Sequence, residues 1–260
     1  MLRLATVALT LGLIAPSSAH AFERTLVDTD PSRAIFWRFR TVGLHTAIDT
    51  SEDVPPTGVQ GALDASIASW NAAATGCSDL RLVDEGYPTS LGTNLSGAPV
   101  DRQNRIVWRE DRWLADPDAL ALATVVYRRS TGEIQDADID LNGLHHTFTT
   151  TDDPAAADND VQNTLTHELG HLVGLEHVGD PEATMYDLAP PGDLGKRTLS
   201  DDEVAAVCFI YPEGRLSPTA PRLPGMGLSN GCAVGATGSS PAVALILLAL
   251  LALRTRAGRR

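Results

Sequence analysis

The segment HELGHLVGLEH, residues 167–177, places three of the chain's seven histidines within eleven positions. His167 and His171 are four residues apart, so on a helix both imidazoles project from one face, one turn from each other. That spacing lets two ring nitrogens approach a single Zn²⁺ at about 2.0–2.1 Å. Glu168 follows the first histidine and is not needed as a ligand. Its carboxylate is predicted to lie beside a zinc-activated water and to accept a proton from it.

A third ligand requires the helix to end inside the motif. His177 lies six residues beyond His171, on the wrong side of a continuous helix. Gly174 provides the break, because glycine enters the left-handed conformation cheaply and commonly ends helices. The chain can then turn back and bring His177 to the metal. Three protein ligands with an open fourth position predict a catalytic zinc site rather than a structural one.

The elements around this motif indicate an α+β fold. The helix that carries it has four apolar residues on one side and an aspartate to cap it: Val161, Leu165, Leu169 and Leu172, after Asp158 or Asp160. Ala34–His45 alternates bulky residues and predicts a first strand, and a helix carrying Trp70 follows it. Further strands are predicted at DLRLVDE, NRIVWRE and on both sides of a Ser130-Thr131-Gly132 turn. The capping box of Ser200 and Glu203 predicts a last helix. Strands and helices without regular βαβ alternation favour α+β.

The complete motif resembles that of the metzincin metalloproteases, which also carry a methionine turn downstream. Met185 follows His177 by eight residues, in a setting similar to the matrixin branch. The resemblance implies a zincin-like catalytic domain with a twisted, mostly parallel sheet, an antiparallel edge strand, an active-site helix and a C-terminal helix. It also implies a zinc endopeptidase in which Glu168 is the general base, Gly174 and Met185 support the site, and Tyr186 is a wall of it.

By the same resemblance, the edge strand Leu122–Tyr127 would pair with an extended substrate, and a pocket around Tyr186–Arg197 would select its side chains. Two residues differ from the matrixin pattern: Val178 stands where serine is usual and Asp187 where proline is frequent. Two other functions stay open. One is a catalytically silent, surface-anchored binding protein with a metzincin fold. The other is a zinc hydrolase of non-protein substrates.

Both ends of the chain are predicted to be targeting segments. Residues 1–21 have a basic start, an apolar middle and small residues before Phe22, which is typical of a cleaved signal peptide. Residues 22–213 would form the catalytic domain and residues 214–231 a Pro/Gly linker. Residues 232–260 resemble the sorting tail called MYXO-CTERM, with a single-span membrane anchor as the alternative. We therefore expect an exported protein, either extracellular or at the cell surface or outer membrane.

The net charge restricts the classes of molecule that the protein is expected to bind. The net charge of −13 argues against nucleic-acid binding and leaves Ca²⁺ open as a second cofactor besides Zn²⁺. We expect a monomer that acts on proteins or peptides and meets a membrane only through its tail.

Asp136, Asp138 and Asp140, with His145 and His146, are candidates for another metal site, although decoration of a strand and its exit is the favoured interpretation. Outside the tail only two cysteines remain, and in an exported chain we expect a disulfide between them: Cys77 and Cys208.

Overall fold

A computed structural model describes residues 22–220 and 244–247. In chain order the elements are β1 (Glu23–Arg24), β2 (Leu26–Val27), β3 (Asp30–Ala34), β4 (Thr41–Thr46), α1 (Pro56–Ala73), β5 (Arg81–Asp84), β6 (Asn104–Trp108), β7 (Ala121–Tyr127), β8 (Ile134–Leu141), β9 (Phe148–Thr149), β10 (Asn159–Asp160), α2 (Val161–Leu172), β11 (Leu175–Glu176), a 3₁₀ turn (Gly195–Arg197), α3 (Asp201–Ile210) and β12 (Ala244–Leu247).

A six-stranded sheet with the order β5-β4-β6-β8-β7-β12 forms the centre of the fold. Strands β4, β5, β6 and β8 are parallel, whereas β7 runs antiparallel to β8 and β12 runs antiparallel to β7. Every residue of β6 and β7 is buried, as expected for strands covered on both faces. The fold is therefore mixed, with a mostly parallel sheet and few helices, in agreement with the sequence-based expectation.

Helices α1 and α2 pack against each other and fix the position of the histidine motif. Trp70 of α1 is fully buried, and its indole Nε1 donates a hydrogen bond to the carbonyl of Thr166, 3.0 Å away. Ser66 and Thr166 join their hydroxyls at 3.1 Å. These contacts lie directly before His167, so α1 holds the turn of α2 from which the first predicted ligand projects.

The predicted first strand, Ala34–His45, is wrong as a single element. The chain forms β3 up to Ala34 and β4 from Thr41, with a bend between them. Trp37 is buried, and its Nε1 donates to Leu172 O at 2.8 Å, whereas Phe39 is 69% exposed. The alternation of bulky residues thus arises from two separate environments and not from one continuous strand.

The aspartates of β8 do not decorate a surface, contrary to the favoured interpretation. All three are buried and lie on the face opposite Ile139. Their hydrogen-bond partners belong to the segment 93–109: Thr93 and Arg109 for Asp140, the backbone N–H groups of Asn94 and Arg105 for Asp138, and Asn94 and the Asp101 backbone for Asp136. The acidic row therefore fixes a long loop to the sheet.

A disulfide joins Cys77, just after α1, to Cys208 in α3; the two residues are separated by 131 positions in sequence and by 5.2 Å between their Cα atoms. It connects the two helices that lie on either side of α2 in the chain. The first residues of the predicted linker also contact the domain, since Arg24 donates to the carbonyls of Pro218 and Ala220 at 2.7 Å.

The predicted signal peptide, residues 1–21, lies outside the described residues, as does most of the linker and tail. Residues 244–247 of the tail's apolar run form a strand, β12; a membrane-spanning helix in this run was the alternative to the sorting tail. Within the described ranges, no helix combines the length and apolar character that a membrane crossing requires.

Candidate metal centre

Helix α2 presents two of the predicted ligands from a buried position. The Asp160 side chain caps it by accepting a hydrogen bond from Asn163 N at 2.7 Å, and Arg197 in turn binds the Asp160 carboxylate at 2.7 and 2.9 Å. His167 and His171 are 1% and 5% exposed. Because the helix is anchored at its start and its apolar residues are fully buried, both imidazoles are held on one face.

Gly174 ends this helix and redirects the chain. Its φ of +96° lies in the left-handed region, and a Cβ at this position would meet Ile35 O at 3.1 Å. The chain then enters β11, which pairs antiparallel with β1, and His177 follows directly. A positive-φ residue with no side chain is therefore what allows the third histidine to return towards α2.

We expect Gly174→Ala to lower the free energy of unfolding by about 1–2 kcal/mol, because an L-residue is strained at positive φ. The same change should weaken zinc binding, since the exit of the chain sets the position of His177. Urea titration and zinc titration measure the two effects. Gly61→Ala is the matched control: no atom lies within 4 Å of its added Cβ, and alanine in a helix interior is expected to stabilise. Equal zinc affinity of Gly174→Ala and the parent would contradict the role of the glycine.

The three imidazoles converge on one point. His177 Nε2 lies 3.1 Å from His167 Nε2 and 3.0 Å from His171 Nε2. Tetrahedral ligands about 2.0–2.1 Å from a zinc ion are separated by about 3.3 Å. Among the residues that the structure describes, this is the one group of three His, Cys, Asp or Glu side chains compact enough to hold a metal ion.

The hydrogen bonds of the outer ring nitrogens fit a cation at that point. His167 Nδ1 bonds to Thr184 O at 2.7 Å and His171 Nδ1 bonds to Leu175 O at 2.9 Å. Carbonyls only accept, so both Nδ1 atoms carry the proton and both Nε2 atoms of the neutral rings present lone pairs. His177 Nε2 can donate to only one of them. The cluster therefore has an excess of acceptors that a metal ion would satisfy.

Burial keeps the imidazoles of His167 and His177 neutral. Desolvation lowers the pKa of His167 well below its ordinary value, with further lowering by the charge of Lys196 and by the other two histidines. Desolvation also lowers the pKa of His177 to about 3. Neutral imidazole is the form that binds a metal.

Glu168 lies in the same buried environment, 3% exposed. Desolvation raises the pKa of its carboxyl, while the charge of His171 and a hydrogen bond donated by the backbone N–H of Ala123 act in the opposite direction. A raised pKa makes the carboxylate a better proton acceptor near neutral pH. Ala123 belongs to β7, so the central sheet orients this group. No local sequence pattern around Glu168 or Ala123 indicates that contact.

The turn around Met185 packs against helix α2, which carries two of the three histidines. Met185 is 1% exposed, and any side chain at Gly170 of α2 would collide with its sulfur. Glu203 holds this turn, because its carboxylate accepts hydrogen bonds from Thr184 N at 3.2 Å and Met185 N at 3.1 Å. The sequence pattern predicts Glu203 only as part of a capping box, which the structure also contains.

The other candidate residues lie elsewhere. His146 Nε2 bonds to Pro117 O at 2.9 Å, and His145 is exposed, so neither joins the β8 aspartates in a metal cluster. Tyr186 is half-buried beside Met185, which is compatible with a wall of the site. Binding of Ca²⁺ stays a prediction, because nothing in the described residues tests it.

Comparison with known proteins relates the segment around the histidine cluster to metalloproteases. Residues 109–212, less than half of the chain, match a model of the family Peptidase_M10, matrixin. Three similar proteins are human matrix metalloproteinase-15 (34% identical over 77 residues, 29% of this chain), human matrilysin (41% over 46 residues, 18%) and metalloendoproteinase 1 of Glycine max (34% over 61 residues, 24%). The matched segments span only 11%, 17% and 20% of the lengths of these relatives. Within those limits, the family match and the relatives support a matrixin-like metalloprotease.

Proposed function

We propose that the protein is an exported zinc endopeptidase that hydrolyses peptide bonds by a metal-activated water. The observation that carries the proposal is the convergence of His167, His171 and His177 on one point beside the buried carboxylate of Glu168. A binding protein would need no carboxylate there. The matrixin match covers this entire group of residues.

Zinc, when bound by the three histidines, supplies Lewis acidity that lowers the pKa of water and polarises a carbonyl group. Glu168 takes the proton from the attacking water and transfers it to the nitrogen of the leaving amine. The Ala123 N–H holds the carboxylate in place for both transfers. Thr184 O and Leu175 O keep His167 and His171 in the tautomer that presents Nε2.

Strand β7 is the element that we assign to the substrate. Its outer edge pairs antiparallel with β12, residues 244–247, in the structure. That pairing supports the proposal that β7 accepts an extended peptide, which would replace β12 there. Main-chain pairing tolerates many sequences, so selection would fall to side-chain pockets.

Export is part of the proposal and rests on two observations. Residues 1–21 have the pattern of a signal peptide. The disulfide between Cys77 and Cys208 also favours an oxidising compartment outside the cytoplasm. N-terminal sequencing of the protein from its producing cells should give Phe22, and a mature chain that keeps residues 1–21 would contradict it.

Metal removal tests the enzymatic function. We expect the purified full chain to cleave casein or members of a peptide panel, to lose that activity when a chelator removes the metal, and to recover it when Zn²⁺ is added back. Cleavage that persists in the metal-free protein would contradict the proposal. Full zinc content without cleavage of any peptide would favour the binding protein, and turnover of esters alone would favour the non-protein hydrolase.

A further inference from the structure

Lys196 is the single lysine of the chain. The other nineteen of its twenty Lys and Arg residues are arginines. It lies in the 3₁₀ turn Gly195–Arg197 and is 4% exposed. A buried lysine needs an explanation, because desolvating an ammonium is costly unless it is paired.

The surroundings of Lys196 place its ammonium next to the histidine cluster. Its backbone N–H donates to Asn163 Oδ1 at 2.7 Å, one turn before His167 in α2. Its Nζ donates to the carbonyl of Tyr186. Thr184 lies two residues before Tyr186, in the turn around Met185, and its carbonyl oxygen accepts the hydrogen bond of His167 Nδ1. One short segment therefore contacts both a predicted zinc ligand and the ammonium.

The electrostatics agree with that position. The charge of Lys196 lowers the pKa of His167 and His177 and counts among the influences that lower the pKa of Glu168. Burial lowers the pKa of Lys196 itself to about 8, partly offset by the through-space charges of Asp193 and Glu168. The ammonium is thus within electrostatic range of the groups that would perform the reaction.

This ammonium is in none of the salt bridges found within residues 22–220, although the carboxylates of Asp193, Glu168, Asp187 and Glu203 act on it through space. The Tyr186 carbonyl uses only one of the ammonium's three N–H donors. A buried cation with unused donors attracts an anion that enters the site, because a charge-assisted hydrogen bond is strong where water is excluded.

We infer that Lys196 binds a carboxylate of the substrate beside the cleaved bond, so that the protein prefers peptides with an acidic group there. The inference rests on the proposed endopeptidase function and names its substrate class. The carboxylate has two possible sources: an Asp or Glu side chain next to the scissile bond, or the free C-terminus of a short peptide. The competing role for Lys196 is purely structural, a tie between the 3₁₀ turn and the Met185 turn.

Paired peptides separate these roles. We compare peptides with both ends blocked that carry Glu or Gln on either side of the cleaved bond, and a second pair with a free or an amidated C-terminus. The parent should show a kcat/KM about 10- to 100-fold higher for the carboxylate member of one pair, as expected for a hydrogen bond to a charged group. The pair that shows the preference identifies the source of the carboxylate.

The variants then assign the preference to Lys196. In Lys196→Met the ratio should fall close to one, and in Lys196→Arg, which keeps the charge, it should be retained in part. Arg112→Met, which removes an exposed positive charge, should keep the parent ratio. An unchanged ratio in Lys196→Met, or no preference in the parent, would overturn the inference. Thermal melts of the variants show whether each is folded.

Binding provides a readout that does not depend on turnover. The dissociation constants of the same pairs are measured with Glu168→Gln, and with Glu168→Gln/Lys196→Met. Tighter binding of the carboxylate member that disappears in the double variant supports the role of Lys196 even if the parent cleaves nothing, in which case only the proposed function fails. Cleavage by the parent with equal binding of both members would sink the inference and leave the function intact.

Discussion

Glu168→Gln should reduce kcat for peptide hydrolysis by about 10²–10⁴-fold while the protein keeps its zinc. The substitution preserves the shape of the side chain and removes only its ability to accept a proton. Glu168 is 3% exposed, and burial raises its pKa. The nearby carboxylate of Glu176 lies 3.9 Å from His177 Nδ1, the ring nitrogen that faces away from the converging Nε2 atoms, so we do not expect it to replace Glu168 as the base.

Zinc content, measured by elemental analysis, and the melting temperature must accompany the rate measurement. Glu182→Gln is the matched control, because it makes the same chemical change at an exposed residue of the loop between His177 and Met185. Equal activity of Glu168→Gln and the parent would refute the general-base role. Loss of zinc in Glu168→Gln would instead show that this carboxylate takes part in holding the metal.

The histidine motif was predictable because its geometry is local. His167 and His171 are one helical turn apart, and Gly174 lies three residues further, so helix geometry and the conformational freedom of glycine already imply the arrangement. A cap at Ser200, and one at Asp158 or Asp160, were predictable for the same reason, and the structure has the caps at Ser200 and Asp160. Interactions spanning three to six residues require no knowledge of the overall fold.

The supporting contacts were not predictable because they join distant parts of the chain. Ala123 reaches Glu168 only after β7 has paired with β8, and Glu203 reaches the Met185 turn only after α3 has packed. Nothing in the local sequence distinguishes Ala123 from its neighbours, and the capping box marks Glu203 only as part of a helix start. Lys196 does stand out in the sequence, because it is the single lysine beside nineteen arginines.

The burial of the β8 aspartates was not predictable from their alternating pattern. Alternating acids on a strand usually face solvent, yet the segment 93–109, which leads into the neighbouring strand β6, covers these. Burial raises the pKa of Asp138 to about 7 against the opposing effect of two backbone hydrogen bonds. The decisive element is the segment 93–109, whose partner in space could not be inferred from its own residues.

His177→Ala should lower zinc affinity by more than about 100-fold, because even residues that only support a ligand change metal affinity by 10- to 100-fold. His177 Nε2 is the atom common to both short contacts of the cluster, at 3.1 Å from His167 and 3.0 Å from His171. Without it, two ligands remain on α2, which is too few for a stable zinc site in a protein.

The measurement is zinc titration of the metal-free protein, with thermal melts in the presence and absence of zinc. Zinc should raise the melting temperature of the parent, because a ligand that binds only the folded state stabilises it, and this increase should be lost in His177→Ala. His145→Ala, which removes an exposed histidine outside the cluster, should retain it. A full complement of tightly bound zinc in His177→Ala would mean that the metal is held by a different set of residues. Since both α2 histidines point to the place where His177 returns, that result would also remove the reason for placing the reaction beside Glu168.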